Sequence, residues 1–178
     1  MKYIRHIILA ICLIHSLSML GGTPAKMSPG FTWGADVGGA IDMTGNDMST
    51  INFDAAFGYR RGIVDFVGVG AGINMMVSNS NRSFPVYALI RSNFVTRPTL
   101  CFFESRIGCA FNNVADDKSQ TSLYLSPGVG FNLAVSKHFK SYIVVSYVYN
   151  GMKSYTDSES FHDIHGLHSA CVRLGISF

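Results

Sequence analysis

The feature that most constrains this chain is an alternation of apolar with polar or small residues at period two, carried through most of its length. From Phe31 the odd positions are Phe31, Trp33, Ala35, Val37, Gly39, Ile41 and Met43, and the even ones are Thr32, Gly34, Asp36, Gly38, Ala40 and Asp42. Successive side chains of a strand point to opposite faces, so this segment is a strand with one apolar face. After Thr44-Gly45-Asn46-Asp47 the pattern resumes with Ile51, Phe53, Ala55, Phe57 and Tyr59 against Asn52, Asp54, Ala56 and Gly58, and then with Val67, Val69, Ala71, Ile73, Met75 and Val77 against Gly68, Gly70, Gly72 and Asn74. Further alternating segments lie at about residues 84–95, 100–111, 123–135, 142–150 and 170–178, which makes eight strands. Connections after the first, third, fifth and seventh are polar and mostly longer, including residues 112–121 and 151–163, while those after the second, fourth and sixth are compact.

Beyond the N-terminal region no apolar run is long enough for a membrane helix, although 48% of the chain is hydrophobic. A barrel explains this, because a membrane strand needs only about ten alternating residues. The rival is an exported sandwich or lipocalin-like barrel with its apolar stripe inside and long charged side chains outside. Lysine usage decides against it. Lys26, Lys118, Lys137, Lys140 and Lys153 all fall at a terminus, loop, turn or strand edge, and the second stripe is built from Gly, Ala, Ser and Asn with a few opposed charges. The expected fold is therefore all-β, an eight-stranded antiparallel up-and-down transmembrane β-barrel, with both chain ends on the periplasmic side and the longer loops outside.

The N-terminus reads Met1-Lys2-Tyr3-Ile4-Arg5-His6, then an apolar run from Ile7 to Leu20, then Gly21-Gly22-Thr23-Pro24-Ala25. A basic segment, a short apolar segment and small residues make a signal peptide, expected at residues 1–25 ahead of a barrel domain at 26–178. Its removal takes Lys2 and Arg5 from 14 basic residues and leaves 12 against 11 acidic, a net charge of +1. No nucleic-acid footprint is present at that balance. The odd set Cys101, Cys109 and Cys171 argues for free thiols rather than a disulfide framework.

On the strand count, on the Gly-rich segments Val67-Gly68-Val69-Gly70-Ala71-Gly72 and Pro127-Gly128-Val129-Gly130-Phe131, and on a last strand ending in Phe178, residues 28–178 resemble the small outer-membrane barrels of the OmpA transmembrane-domain and OmpX type, the outer-membrane β-barrel domain family. The resemblance implies a Gram-negative cell-envelope protein of the bacterial outer membrane. It implies membrane lipid and the barrel-assembly machinery as partners, with Phe178 as the assembly signal, and it specifies no activity.

Three acids, Asp36, Asp54 and Glu104, and three bases, Arg91, Arg106 and Arg173, fall on the stripe assigned to the lumen. A balanced set in a narrow bore reads as a salt-bridged structural core, because buried charges must be paired. A hairpin centred between Arg97 and Pro98 sets Arg91 opposite Glu104, leaving Arg106 and Arg173 to reach Asp36 or Asp54 across the bore. His162, His165 and His168 invite a metal site, but residues three apart on a strand face opposite ways, so no metal or other cofactor is expected. No His-x-Ser triplet, Gly-x-Ser-x-Gly elbow or phosphate-cradling glycine loop occurs, and no catalytic residue is assigned. The expected role is structural, or surface interaction with an extracellular ligand or protein through the outer loops. The alternative is a lipid-modifying envelope enzyme or a narrow small-solute or ion pore.

Overall fold

The computed structural model describes residues 28–78, 81–94, 100–114, 118–157 and 160–178, so the expected signal peptide lies outside the described residues. Alternation becomes strand throughout: β1 (Gly30–Asp42), β2 (Thr50–Arg61), β3 (Val64–Met76), β4 (Arg82–Asn93), β5 (Cys101–Val114), β6 (Lys118–Val135), β7 (Lys140–Asn150), β8 (Ser154–Asp157), β9 (Ser160–Asp163) and β10 (Leu167–Ser177). Strands β1 to β7 pair with their sequence neighbours, β10 pairs with β7, and β10 closes the barrel against β1. The hairpin of β8 and β9 stands apart as a two-stranded sheet between β7 and β10.

Register fixes the size of the barrel. Stepping across the ladder from Trp33 leads through Phe57, Val69, Ala88, Ile107, Leu125, Tyr149 and His168, whose carbonyl accepts from the Met43 amide at 2.8 Å, ten residues beyond the start. With strands about 4.8 Å apart and about 3.3 Å of rise per residue, a stagger of that length gives a strand tilt near 40° and a barrel radius of about 8 Å. A bore that narrow is filled by its own side chains.

The two stripes separate as the alternation requires. Phe31, Val37, Ile51, Phe53, Val69, Val86, Ile107, Leu123, Val145, Val172 and Leu174 stand on the exterior, well exposed, while Tyr87, Leu89, Phe102, Tyr124, Arg91, Glu104, Arg106 and Arg173 are buried inside. Glycines on the inner stripe make way for large neighbours: a β-carbon on Gly70 would stand 2.6 Å from the Tyr87 ring, and one on Gly175 would strike the Asp36 carboxylate and the Tyr142 ring. Exterior aromatics gather at both ends. Trp33 stacks on Phe178 at 4.7 Å at the end where β1 starts and β10 finishes, and Tyr147 and Tyr149 lie beside His168 at the other, the hairpin end.

Several boundaries differ from the expectation. The polar segment 112–121 is mostly ladder, because β5 and β6 stay paired out to Val114 and Lys118. Its residues are polar because that hairpin projects beyond the apolar belt, where the pleat continues without an apolar face. Residues 151–163 likewise contain the β8–β9 hairpin. Arg82 and Ser83 belong to β4 rather than to the preceding loop. Lys140, placed in a turn by the sequence, is the first residue of β7 and is buried in the bore.

Candidate functional site

Side chains in the bore stack in layers, and the central layer holds all six charged residues expected there. Strand β4 pairs with β5 in the register that sets Arg91 opposite Glu104. Arg91 Nε donates to Glu104 Oε2 at 2.5 Å, Arg106 Nε to Glu104 Oε1 at 2.8 Å, and Arg173 Nη2 to the same oxygen at 3.0 Å. One carboxylate thus meets three guanidiniums. Arg106 answers with its remaining donors, reaching Asp36 Oδ2 at 2.6 Å, Asp54 Oδ2 at 3.2 Å and the Tyr87 hydroxyl oxygen at 2.9 Å. Tyr142 donates to Asp36 at 2.6 Å and Tyr87 to Asp54 at 2.9 Å.

Arg173 departs from the expected pairing with Asp36 or Asp54. It lies opposite Gly38, one inward position further toward the hairpin end than Asp36, and binds Glu104 and the Ser126 hydroxyl at 3.3 Å instead. Asp36 is already engaged by Arg106 and Tyr142. The Arg91 guanidinium also sits 4.2 Å above the Tyr142 ring, and that of Arg106 lies 4.9 Å from Tyr87, so aromatic faces complete the surroundings of the cations. Charges this deep are tolerable only when paired and hydrogen-bonded. Every charge of the layer is paired, and Arg173 Nε is the donor of these three arginines left buried without a hydrogen-bond partner among the described residues.

A second charged layer closes the terminal end and was missed by the sequence reading. Asp65 takes an ion pair from Lys140 Nζ and another from Arg60 Nε at 3.3 Å. Arg60 also reaches the Asp65 carbonyl at 3.0 Å and the Thr32 hydroxyl at 3.2 Å, and Thr32 donates to the Phe178 carbonyl at 2.6 Å. Extending the inward phase of β2 by one step would have found Arg60, and extending that of β7 backward would have found Lys140. Asp65 carried no such signal, since a bulge between Val64 and Phe66 turns both Asp65 and Phe66 inward.

Toward the hairpin end the bore becomes amide-rich and then apolar. Asn112, Ser122 and Asn150 form one hydrogen-bonded set, with Asn150 Nδ2 donating to Asn112 Oδ1 at 2.8 Å. Nearby, a cavity of about 20 Å3 is lined by Thr50, Asn52, Asn74, Ser83, Tyr124 and Asn150, which is room for about one water. Above it Met48, Met76, Met152 and Leu167 close the mouth, with Ile164 against them. Met48 is carried inward by the β1–β2 loop, where the Asp42 carboxylate accepts from the amides of Thr44, Asn46 and Met48.

Other chemistry-bearing residues are dispersed. Cys109 is exposed on the outer face of β5, Cys101 is partly covered, and Cys171 is buried 3.4 Å from Asn52 Nδ2. His168 lies on the exterior with Nδ1 bonded to the Tyr147 hydroxyl. Among the described residues no three His, Cys, Asp or Glu side chains converge on a common point.

No protein-family model and no curated protein matches the sequence. Solved structures do match in shape. The N-terminal β-barrel domain of Pseudomonas aeruginosa OprF superposes with a TM-score of 0.56 at 11% identity, covering 85% of this chain and all of that one. Neisserial surface protein A matches with a TM-score of 0.48 at 14% identity over 83% of this chain and 94% of its own, and Yersinia pestis outer membrane protein Ail with 0.48 at 13% over 84% and 99%. The likeness to the OprF domain is one of architecture: this chain folds as a small, closed, eight-stranded antiparallel barrel like that of an outer-membrane protein.

Proposed function

We propose that this chain resides in the bacterial outer membrane as a closed barrel with a structural or surface-interaction role, carried by the hairpin end, and without catalytic chemistry. The observation that supports this reading is the filled bore. Two layers of paired charge, an amide layer and a methionine cap occupy the interior in turn. An exterior apolar belt bounded by aromatic residues suits lipid, and the hairpins that project past it would meet the medium or a partner. In this reading residues 1–25 direct export and are removed, both chain ends face the periplasm, and Phe178 is read by the barrel-assembly machinery.

Conductance tests the reading against the pore alternative. Reconstituted protein in planar bilayers is expected to insert, as checked by heat-modifiable gel mobility of the same sample, and to give no discrete current steps. Regular steps proportional to voltage would replace the structural role with a pore.

A further inference from the structure

The hairpin end carries a preformed pocket on the outside of the barrel, next to the exterior pair Tyr149 and His168. Tyr149, Gly151, Lys153, Asp163, Ile164, His165 and Gly166 line it, and its volume is about 420 Å3. That is within the range of pockets that hold small ligands. Its frame is tied by backbone bonds: Gly151 N to Leu123 O at 2.9 Å, Gly166 N to Met152 O at 3.1 Å, and Ile164 N to Lys153 O at 2.7 Å. The Lys153 amide also donates to Gln120 Oε1 at 2.9 Å, which fastens the pocket to the projecting β5–β6 hairpin. Gly166 has a φ of +96°, and a β-carbon there would come within 2.7 Å of the Tyr149 ring. Only glycine lets the chain pass beneath that ring, so the Tyr149 ring is held in place as one wall of the pocket.

The chemistry around this wall is mixed. Lys153 and His165 supply donors and Asp163 an acceptor; all three are exposed, and among the described residues none is engaged in an ion pair. A flat aromatic face with donors and an acceptor at its rim is complementary to a ring that has an apolar C–H face and hydroxyls at its edge. An inorganic anion would use the cations and leave the tyrosine face idle, and an acyl chain would leave all three polar groups unused. From this pocket we infer a binding site for a saccharide unit, stacked on Tyr149 with its hydroxyls shared between Asp163, Lys153 and His165. On the placement proposed above, which this inference rests on, the pocket lies where the apolar belt meets the outer surface. The sugar is then either part of a glycolipid headgroup or a free oligosaccharide; the chemistry of recognition is the same.

The test uses the full-length barrel refolded in phospholipid nanodiscs, titrated with a panel of glucose, galactose, N-acetylglucosamine, cellobiose and maltose, and read by saturation-transfer NMR and by shifts of the His165 ring. At least one sugar is expected to saturate and to move His165, with Tyr149→Ala weakening it about ten-fold and Asp163→Asn about five-fold while heat-modifiable mobility is kept. Val145→Ala, on the same strand outside the pocket, is expected to bind as the parent does. Absence of binding across the panel, undiminished binding by Tyr149→Ala, or displacement of the sugar by inorganic phosphate would each overturn the inference. A glycolipid added to the nanodiscs separates the two sources: His165 shifts before any soluble sugar is added if a headgroup occupies the site. Loss of heat-modifiable mobility in the parent would instead contradict the membrane placement.

Discussion

Removing the Glu104 carboxylate would leave Arg91, Arg106 and Arg173 facing one another in a bore with little room for water. Breaking a buried pair costs about 3–5 kcal/mol, because the stranded charge keeps its desolvation penalty. Glu104→Ala is therefore expected to lower unfolding free energy in lipid vesicles by about that amount, and Glu104→Gln by less, since the amide oxygen still accepts. Arg91→Ala leaves Glu104 with two guanidiniums, so a double-mutant cycle should give a coupling of about 1–3 kcal/mol. A cycle without coupling would contradict the pairing. At this scale the sequence was informative wherever alternation held: the inward phase placed Asp36, Asp54, Arg91, Glu104, Arg106 and Arg173 on one stripe, and the structure brings them within reach of each other. It was silent where the rule breaks. A bulge at Val64 and Phe66 hides Asp65, and the loop that folds Met48 into the mouth follows the hydrogen bonds of Asp42, which have no periodicity.

Strand limits were harder to read than strand identity, for a physical reason. Alternation of apolar residues marks contact with lipid, whereas the hydrogen-bonded ladder continues for as long as two strands remain paired. Hence the polar ends of β5 and β6, and the whole of β8 and β9, read as loops. The β8–β9 hairpin begins where Ile164 N donates to Lys153 O at 2.7 Å, so the chain can be closed there. Replacing residues 154–163 with a Gly-Gly link should leave thermal unfolding and heat-modifiable mobility of the barrel unchanged; a destabilised barrel would show that the hairpin belongs to its core. The last strand is different. Phe178 exchanges backbone bonds with Trp33 at 2.9 and 3.3 Å, stacks on its indole and accepts from Thr32, so it fastens the closing seam of β1 and β10. Deleting Phe178 is expected to reduce outer-membrane levels of the protein, measured by fractionation. Unchanged levels would remove it as an assembly signal.

For the whole molecule the decisive property is inversion: the charged and amide-bearing stripe is inside and the apolar stripe, aliphatic and aromatic, is outside. A water-soluble barrel of the same strand count would show the opposite, and most of the inversion was legible because lysine is absent from the middle of every alternating segment. What sequence could not convey was how completely the bore is filled. Filling depends on the ten-residue stagger, and so on register around the entire ring, which no single hairpin determines. The measurement that tests this account most directly is a set of nuclear Overhauser contacts between lipid acyl chains and the refolded protein in bilayers. The account predicts acyl contacts at Val69, Val86, Ile107, Val145, Val172 and Leu174, and none at Leu89, Tyr124, Arg91 or Glu104. Acyl contacts at the second group, or water contacts along the first, would contradict it.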